Sequence, residues 1–497
     1  MLWLCLHLPH LSLEIFTRGA CLDPVSRVVS DAHNRRPRVL DCNPAAAVRG
    51  VRPGMTVGTA HALAPDLVVW PRAREAERRV LQQLAGWAGQ FSPMVSLAPP
   101  HELVLEVEGS CGLFGGRDRL VDAVYRGVTG LGHQVVWALA PTPLGATLLA
   151  RGGREVQVIA RSQLRGMLAR LPLGTLNLSP PVRAALHGLG MRSLGDCLRL
   201  PRDGLVRRAG PDLLKALDRA LGDAPDPREP YVPPPRFVGR LPLPAAVEET
   251  GALLFAVHRL ILELSGFLAA RDAGVRELRF HMMHGVRSGT EVALRLTAPS
   301  RDPGHLLGLM RVRLERVALP APVQEIVLRA NPVTLPRRDG SLFPGGAVDA
   351  VDAGDAAALV ERLRARLGEP AVHGLRRVAE HRPERAWDAC DVTAGDRGDT
   401  VLPVMTHARD PCGTSGLPPR PLWLLPRPAP LAVRNGRPCR DGTLSLGPER
   451  ERIESGWWDG ADVVRDYFVA RTVRGERLWI FRAPGIPDRW FLHGIFE

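Results

Sequence analysis

The sequence has almost no lysine, no regularly spaced cysteines and no long apolar run, and each shortage bears on what the protein can be. Lys215 is the only lysine among 65 basic residues, so arginine supplies nearly all of the positive charge behind a net charge of +13. A strongly basic chain attracts polyanions, and nucleic acid is the first of these. Because the chain is also rich in Ala, Gly and Pro, a GC-rich coding sequence explains the arginine equally well. Charge alone therefore leaves nucleic-acid binding open.

The cysteines lack the spacing that is typical of a metal or redox site. The eight lie at positions 5, 21, 42, 111, 197, 390, 412 and 439, and no pair has the C-x-x-C separation. Cys390, Cys412 and Cys439 share a region with His381 and His407, but at long, irregular separations. Buried or inert thiols are thus favoured over structural zinc. A disulfide framework is also disfavoured, which suits a reducing cytoplasm.

The apolar start of the chain lacks the parts of a signal peptide. It has no basic region, His7, Pro9 and His10 interrupt it, and no small-residue cleavage site follows. No run of apolar residues reaches the roughly 20 residues of a membrane-spanning helix. We therefore expect a cytoplasmic protein without a membrane partner.

Length and hydrophobic pattern predict an α+β multidomain protein. A chain of 497 residues is too long for one core, and 45% hydrophobic with 24% charged residues is ordinary for a globular protein. Apolar residues fall on one helical face over Glu75–Phe91, and strand-like runs occur at Leu2–Leu8, Leu103–Val107 and Val135–Leu139. Strands and helices are therefore mixed in the N-terminal part of the chain.

Composition changes divide the chain into five segments. These are a mixed domain over 1–163, short helices over 164–221, a Pro-rich extended linker over 222–235, a compact α+β module over 236–345, and a C-terminal region over 346–497. In the last segment we expect a helix over Ala356–Leu367 and then a Gly- and Pro-rich irregular stretch. Three strand-like runs over Trp457–Phe496 predict a small terminal β-meander.

Asp41–Met55 resembles the fingers motif of the Y-family DNA polymerases, in which Asn-Tyr-x-Ala-Arg precedes Gly-Val-x-x-Gly-Met. In that family the Tyr and Arg hold the incoming triphosphate, whereas Pro44 and Ala47 stand at their places here. A guanidinium grips phosphate through two hydrogen bonds and a methyl group cannot. The resemblance thus implies that the motif's scaffold is retained and its triphosphate contacts are lost.

The same resemblance implies a metal site that has degenerated. Such polymerases hold two cations about 3.5–4 Å apart between carboxylates, and the family draws them from an Asp-x-Asp run after the first strand and from a later Ser-x-Asp-Glu run. Here the first strand gives His7-Leu-Pro9, and the later run gives His101 and Glu102. One carboxylate among imidazoles and prolines suits Mg²⁺ poorly. We therefore expect no metal, no cofactor and no catalytic residue.

Two further segments resemble the Y-family thumb and little finger. Leu171–Leu198 is similar to the helix-hairpin-helix of the thumb, where Gly188 and Gly190 let backbone N–H groups approach a DNA phosphate. Gly-x-Gly between two helices also occurs as a plain turn. Residues 236–337 take the place of the little finger, with candidate phosphate contacts at Arg276, Arg279, Arg287 and Arg295. A solvated basic face explains each of these arginines equally well.

The C-terminal third resembles the ImuB-type members of this family in particular. In these a clamp-binding peptide of Gln-Leu-(Ser/Asp)-Leu-Phe form follows the little finger, and the corresponding place here is Asp339–Phe343. Ser341 precedes Leu342 and Phe343, two apolar anchors for a pocket, but the Gln is absent and an ordinary loop is equally compatible. The end, Glu454–Phe496, implies docking of a RecA-like companion and an error-prone C-family polymerase.

These features favour a non-catalytic adaptor in damage-induced translesion synthesis (SOS mutagenesis). It would bind damaged primer-template DNA and bring the sliding clamp and the C-family polymerase to it. The enzyme alternative is an active Y-family polymerase with a rearranged metal site, which needs Glu102 plus Glu106 or Asp41 to gather two cations. A third possibility, a helix-hairpin-helix module on an unrelated enzyme, leaves the ordered fingers and little-finger resemblances unexplained.

Overall fold

The computed structural model describes residues 1–18, 25–31, 36–285, 287–335, 347–390, 420–485 and 489–496. It contains two units, Met1–Gly368 and Glu369–Glu497. The helices of the first unit are α1 (Leu11–Thr17), α2 (Pro44–Val48), α3 (Val57–Leu63), α4 (Arg74–Ala88), α5 (Arg117–Gly130), α6 (Pro143–Arg151), α7 (Arg161–Ala169), α8 (Pro180–Gly188), α9 (Leu194–Leu198), α10 (Arg202–Ala209), α11 (Pro211–Leu221), α12 (Thr250–Ala269), α13 (Pro303–Leu314) and α14 (Ala347–Leu367). Its strands are β1 (Trp3–His7), β2 (Arg27–Ser30), β3 (Val39–Cys42), β4 (Val68–Pro71), β5 (Val95–Ala98), β6 (Glu102–Glu106), β7 (Val136–Ala140), β8 (Val156–Gln157), β9 (Phe237–Val247), β10 (Ala273–His284), β11 (Arg287–Ser300), β12 (Val323–Ala330) and β13 (Val333–Thr334). The predicted α+β multidomain class is confirmed.

Strand β1 is the middle of a five-stranded sheet with the order β5-β6-β1-β7-β8, in which β6 and β7 flank it in antiparallel register. Leu4 and Leu6 face a core formed with α1, α4 and α5. Trp3 and Cys5 face a second core formed with α6 and the short helices α7 to α11. A strand that is covered on both faces is apolar throughout, which explains the apolar start of the chain.

A smaller sheet with the order β3-β2-β4 carries the fingers-like motif. Its core is formed by small aliphatic side chains from the strands and from α2 and α3, including Val28, Val39 and Ala46. Helix α2 begins after Asn43, whose side chain accepts a hydrogen bond from the N–H of Ala46 at 3.0 Å. This N-cap fixes the position of the motif on the sheet.

The segment after α11 runs without helix or strand until β9, as its proline content predicts. The N–H of Tyr231 donates to the carbonyl of Val95 on β5 at 2.7 Å, which ties this linker to the edge of the first sheet. A five-stranded antiparallel sheet follows, in which four strands have the order β11-β10-β12-β9 and β13 pairs with β10. Helices α12 and α13 pack on one of its faces. Its opposite face carries Arg279 and Arg295, two of the arginines that the sequence singles out.

Helix α12 also packs on α4, where the ring of Trp87 occupies the space that a side chain at Gly266 would need. Arg18, which directly follows α1, and Glu263 of α12 form an ion pair at 2.7 Å, and both side chains are buried. Among the described residues, α12 is one helix that is long and apolar enough to cross a bilayer, with a mean hydropathy of 1.7. Its buried ion pair and its packing against α4, α13 and the sheet of β9, β10 and β12 are those of a core helix.

Helix α14 lies in the first unit, although the sequence assigns it to the C-terminal region. The carboxylate of Glu361 accepts hydrogen bonds from the backbone N–H of Thr297 at 2.6 Å and from its hydroxyl at 2.7 Å, and lies 2.6 Å from the Nε2 atom of His305. The boundary expected at residue 346 therefore differs from the structure, because a buried carboxylate fixes α14 to β11 and α13.

The second unit is formed by antiparallel strands. They are β14 (Gly374–Arg377), β15 (Trp387–Cys390), β16 (Trp423–Arg434), β17 (Arg437–Cys439), β18 (Ser445–Ser455), β19 (Val463–Arg471), β20 (Arg477–Arg482) and β21 (Trp490–Ile495). Strands β14 and β15 pair as a hairpin, and the others form a sheet with the order β17-β16-β21-β20-β19-β18. The expected terminal meander is present as β19 to β21, but the sheet is larger than expected. Apolar residues occupy both of its faces, with Tyr467, Trp479 and Phe481 on one of them.

Candidate functional site

The residues expected at a degenerate metal site lie together at the end of the first sheet. His7 is the last residue of β1 and Glu102 the first of β6, and the antiparallel register places them opposite each other. The Nδ1 atom of His7 lies 3.0 Å from Oε1 of Glu102, and the rings of His7 and His101 are 6.5 Å apart. These side chains line a cavity of about 320 Å³, whose far wall includes Pro172 and Thr175 of the thumb-like segment.

Arg151, which the sequence analysis did not single out, donates hydrogen bonds to the carboxylate of Glu102. Its Nε atom donates to Oε1 at 2.8 Å and its Nη2 atom donates to Oε2 at 3.1 Å. The remaining Nη1 atom donates to the carbonyl of Thr175 at 3.1 Å. Arg151 is the last residue of α6, so one guanidinium joins the sheet to the thumb-like segment and uses both oxygens of the carboxylate.

The electrostatics of this cluster agree with its geometry. Burial alone would raise the pKa of Glu102, but hydrogen bonds from His7 and Arg151 and the charge of Arg151 outweigh it and lower the pKa to about 2. Burial lowers the pKa of His101, which the nearby carboxylate only partly offsets. At neutral pH the site therefore holds an ionised carboxylate that is already neutralised by a guanidinium.

These residues do not fit the Mg²⁺ ions that a polymerase fold implies. Magnesium requires oxygen ligands in near-octahedral geometry, and a cation at Glu102 would have to displace Arg151 from both oxygens. The His101 Nε2 atom is buried without a hydrogen-bond partner, and an imidazole nitrogen is a poor ligand for this hard ion. Within the described ranges no group of three or more His, Cys, Asp and Glu residues is arranged to hold a metal ion.

The carboxylates that a rearranged metal site would need are engaged elsewhere. Glu106 lies four residues along β6 from Glu102, roughly 13 Å by the rise of a strand, and it accepts the N–H of Leu2 at 3.3 Å. Asp41 accepts a hydrogen bond from the N–H of Cys42 at 2.8 Å and lies 2.9 Å from the ring of His10. Each of these two carboxylates is therefore hydrogen-bonded to its own neighbours and does not join Glu102 in a shared site.

The fingers-like motif places Pro44 and Ala47 on α2, with Pro44 exposed at the first turn. The nearby arginines bind within the same small domain. Arg52 donates to the carbonyl of Ala47 at 2.7 Å, and Arg49 pairs with Asp66. The structure thus shows a folded motif whose neighbouring guanidinium groups satisfy local acceptors.

The thumb-like hairpin has the shape that the sequence predicts. Two of its backbone N–H groups, however, already donate hydrogen bonds within the hairpin. Helix α8 ends at Gly188, and Gly190 adopts a φ of +77°, which is the left-handed conformation that glycine favours. Both glycines are exposed. The N–H groups of Gly190 and Met191 donate back to the carbonyls of His187 and Leu186, at 2.9 and 3.1 Å. A phosphate at this hairpin would therefore compete with internal hydrogen bonds.

At the start of α9, the second helix of the hairpin, a carboxylate lies where an anion such as phosphate would bind. Asp196 accepts the N–H groups of Arg192 and Ser193 at 3.0 and 2.9 Å, and Ser193 caps the N–H of Asp196 in return. These backbone hydrogen bonds hold the pKa of Asp196 well below its usual value. The Ser-x-x-Asp spacing is a capping-box pattern that is visible in the sequence, and it explains why this helix start is not open to phosphate.

The arginines on the outer face of the little-finger-like sheet form ion pairs, which partly neutralise their charge. Arg279 on β10 lies 3.1 Å from Glu277, and Arg295 on β11 lies 3.5 Å from the same carboxylate. Arg276 is exposed on β10, and the side chain of Arg287 lies outside the described residues. Phosphate contacts by Arg279 and Arg295 would thus replace existing ion pairs, all of them partly exposed.

Arg329 is a residue of this face that the sequence analysis missed. It is exposed on β12, directly opposite Arg279 on the neighbouring strand. Two like charges opposite each other on one face destabilise a sheet, and an anionic ligand between them would remove that cost. The alternation over Val323–Ala330 places Arg329 on one face, but only the strand register brings it to Arg279.

The clamp-binding candidate Ser341, Leu342 and Phe343 lies outside the described residues.

Comparison with known proteins finds similarity over most of the chain. Residues 22–151 match the model of the impB/mucB/samB family. "Protein ImuB" of Caulobacter vibrioides (strain NA1000 / CB15N) is 29% identical over 477 residues, which are 90% of this chain and 100% of that protein. "DNA polymerase IV" of Pseudomonas fluorescens (strain Pf0-1) is 27% identical over 188 residues, which are 37% of this chain and 53% of that protein.

Solved structures with low overall similarity include a "Y-family DNA polymerase chimera Dbh-Dpo4(243-245)-Dbh" and a "DinB from Sulfolobus solfataricus". Both share 16% sequence identity and cover 68% of this chain and 100% of the solved one, with TM-scores of 0.38 and 0.37. The sequence match to Protein ImuB, by contrast, extends over that protein's whole length. The chain is thus similar to Protein ImuB over 90% of its length and to DNA polymerase IV over 37% of it.

Proposed function

We propose that the protein is a non-catalytic, DNA-binding adaptor in damage-induced translesion synthesis in the cytoplasm. The observation that carries this proposal is the pairing of Arg151 with Glu102, which uses both oxygens of the carboxylate retained from the family's metal site. A metal site that had lost only one of its ligands would still bind a cation weakly. Here a guanidinium already neutralises the carboxylate.

Other groups that nucleotide addition needs, namely further metal ligands and the triphosphate contacts, are also replaced. Two-metal phosphoryl transfer stabilises the attacking and the leaving oxygen through carboxylate-bound cations. His7 and His101 stand beside Glu102 in place of further carboxylates, and Pro44 and Ala47 replace the triphosphate contacts. These replacements together favour a protein that keeps the shape of a polymerase and delegates synthesis to another enzyme.

DNA binding is proposed from charge and from the outer face of the β11-β10-β12-β9 sheet. The chain carries a net charge of +13, and Arg279, Arg295 and Arg329 are exposed on neighbouring strands of that sheet. Phosphate contacts of this kind position a protein on DNA without reading its sequence. Such binding suits an adaptor that must act wherever damage lies.

The partners follow from the ImuB-type resemblance. They are the sliding clamp, at Ser341–Phe343, and a RecA-like companion and an error-prone C-family polymerase, at the C-terminal region. Clamp binding by a peptide without the Gln is the part of the proposal that most needs a direct measurement. A peptide of residues 336–346, titrated against purified clamp beside its Leu342→Ala, Phe343→Ala form, provides it: saturable binding of the native peptide alone supports the site, and equal or absent binding of the two removes it.

The test of the whole proposal is primer extension run beside a DNA-binding titration. Purified protein is incubated with undamaged and lesion-bearing primer-templates, with Mg²⁺ and with Mn²⁺. Binding without extension supports the adaptor. Extension that survives purification and vanishes with Glu102→Ala identifies an active polymerase instead, and failure to retain DNA at moderate salt removes the DNA-binding part.

A further inference from the structure

A cavity of about 250 Å³ lies where α4, the proline-rich linker and β9 meet. It shares no lining residue with the cavity at Glu102. Helix α4 contributes Ala76, Val80 and Gln83, which are three or four residues apart and therefore share one face of the helix. Pockets for small ligands measure about 300–1,000 Å³. This cavity therefore suits a small molecule or a single unit of a longer one.

Hydrogen bonds hold the walls of this cavity together. The side-chain amide of Gln83 on α4 donates to the carbonyl of Val238 on β9 at 3.1 Å. Arg271, which follows α12, donates to the carbonyls of Pro233 and Pro234 in the linker at 3.4 and 3.1 Å. A site that is formed before its ligand arrives loses little conformational entropy on binding.

One part of the lining consists of rings. Tyr231, Phe237 and Phe267 contribute aromatic rings and Pro233 a pyrrolidine ring, and the two phenyl rings are 5.3 Å apart. Flat ligand groups such as nucleobases pack well on surfaces of this kind. Gln82 also lines the cavity, and a carboxamide offers both a donor and an acceptor to the edge of a base.

Two of the four arginines that line the cavity are paired with carboxylates. Arg18 pairs with Glu263 at 2.7 Å, and Arg240 pairs with Glu325 at 3.6 Å. Arg18 is only 3% exposed, and its Nε atom is buried without a hydrogen-bond partner among the described residues. A buried N–H group without an acceptor is costly. An anion in the cavity that Arg18 lines would supply the missing acceptor.

The other two arginines, Arg79 of α4 and Arg236 directly before β9, leave positive charge at the opening of the cavity. Both are exposed, and within the described ranges neither has a carboxylate partner. Four guanidinium groups against two carboxylates leave an excess of two positive charges. A phosphate monoester carries about −1.5 to −2 charges at pH 7, whereas a carboxylate or a phosphodiester carries one. Guanidinium groups bind phosphate through paired hydrogen bonds.

We propose that this cavity binds a nucleoside monophosphate, with its base against the rings and its phosphate monoester at Arg79 and Arg236. The group can be a free nucleotide or the phosphorylated end of a DNA strand, because both carry a base beside a phosphate monoester. An acyl chain or an acidic peptide lacks this combination of a flat ring and a doubly charged group. The site goes beyond the adaptor function, since it uses none of the residues proposed to contact the DNA duplex.

The test titrates the full-length protein with deoxyadenosine monophosphate, deoxyadenosine and inorganic phosphate by isothermal calorimetry. We expect saturable binding of the monophosphate, at least roughly tenfold tighter than that of either of its parts. Arg79→Glu and Arg236→Glu should each weaken it by at least roughly tenfold. Arg74→Glu is the matched control, because Arg74 is exposed on the same helix and does not line the cavity. Circular dichroism verifies that each variant is folded.

Competition with short single-stranded oligonucleotides distinguishes the two sources of the ligand. If a 5′-phosphorylated strand displaces the bound monophosphate and the same strand with a 5′-hydroxyl does not, the cavity receives a strand end. If neither strand displaces it, the cavity serves a free nucleotide. Both results support a site for a base that carries a phosphate monoester.

Three results overturn the inference. The first is that the monophosphate does not bind. The second is that it binds no more tightly than inorganic phosphate, so that the rings contribute nothing. The third is that Arg79→Glu and Arg236→Glu bind it as Arg74→Glu does, which places the ligand elsewhere. The adaptor function survives each of them, because its primer-template binding and its lack of extension are measured separately.

Discussion

The guanidinium of Arg151 lies against the carboxylate of Glu102 with hydrogen bonds of 2.8 and 3.1 Å, and it also reaches the carbonyl of Thr175 at 3.1 Å. The pair is a structural contact at the position where the sequence resemblance predicts a degenerate metal site. It connects the central sheet to the first turn of the thumb-like segment.

Removing one partner of this pair leaves an uncompensated buried charge. We expect Arg151→Ala to lower the free energy of unfolding by about 3 kcal/mol, measured by urea denaturation followed by circular dichroism. Arg49→Ala, which breaks an exposed ion pair with Asp66, is the matched control and should cost less than about 1 kcal/mol. The double variant Glu102→Gln, Arg151→Met should lose less than the sum of its single changes. Equal losses for Arg151→Ala and Arg49→Ala contradict the buried-pair account.

The lowered pKa of Glu102 predicts how this contribution depends on pH. Because the pKa falls from an ordinary 4.5 to about 2 in the folded state, the stabilisation is complete above pH 4.5 and is lost as the pH falls towards 2. The stability difference between the native protein and Glu102→Gln should therefore be constant from pH 7 to about pH 5 and shrink below it. Urea midpoints of both proteins, measured from pH 7 to pH 3, check this. A difference that does not change with pH shows that the carboxylate is not held ionised by its partners.

The outer face of the β11-β10-β12-β9 sheet predicts a graded effect on DNA binding. Arg279→Ala and Arg329→Ala should each weaken binding of any sequence and reduce the slope of log K against log salt by about 1. Glu277→Gln should strengthen binding, because it frees Arg279 and Arg295 from a shared carboxylate.

Fluorescence anisotropy over a range of salt concentrations measures these slopes. Arg126→Ala is the control, since Arg126 is exposed on α5 and paired with Asp122 on the same helix. If the arginine variants of the sheet behave like this control, DNA does not contact that face.

The sequence predicted those features that depend on local pattern. The apolar face of Glu75–Phe91 became α4, and the three aromatic-rich runs at the end became β19 to β21. The family resemblance assigned His7 and Glu102 to one site, whereas their direct pairing is visible only in the register of β1 and β6. Strand β16 was missed because it contains Pro426, Pro428 and Pro430, which cannot donate to a ladder. It nevertheless pairs with β21 across a bulge between Leu424 and Ala429.

The contacts that were not predicted join distant parts of the chain. Arg151 is separated from Glu102 by 49 residues, and no local pattern assigns an arginine at the end of α6 to that carboxylate. The register of β10 and β12 places Arg329 opposite Arg279, and sequence periodicity does not determine that register. Helix α14 joins the first unit through the buried carboxylate of Glu361, whose partners on β11 and α13 are far away in sequence.

The most direct test of the central claim is primer extension by the highly purified native protein and by Glu102→Ala, with Mg²⁺ and with Mn²⁺, on a template that the protein is shown to bind. The account predicts that both proteins bind the DNA and that neither adds a nucleotide. Templated extension by the native protein that is abolished in Glu102→Ala would mean that Arg151 leaves the carboxylate during a catalytic cycle, and it would contradict the account.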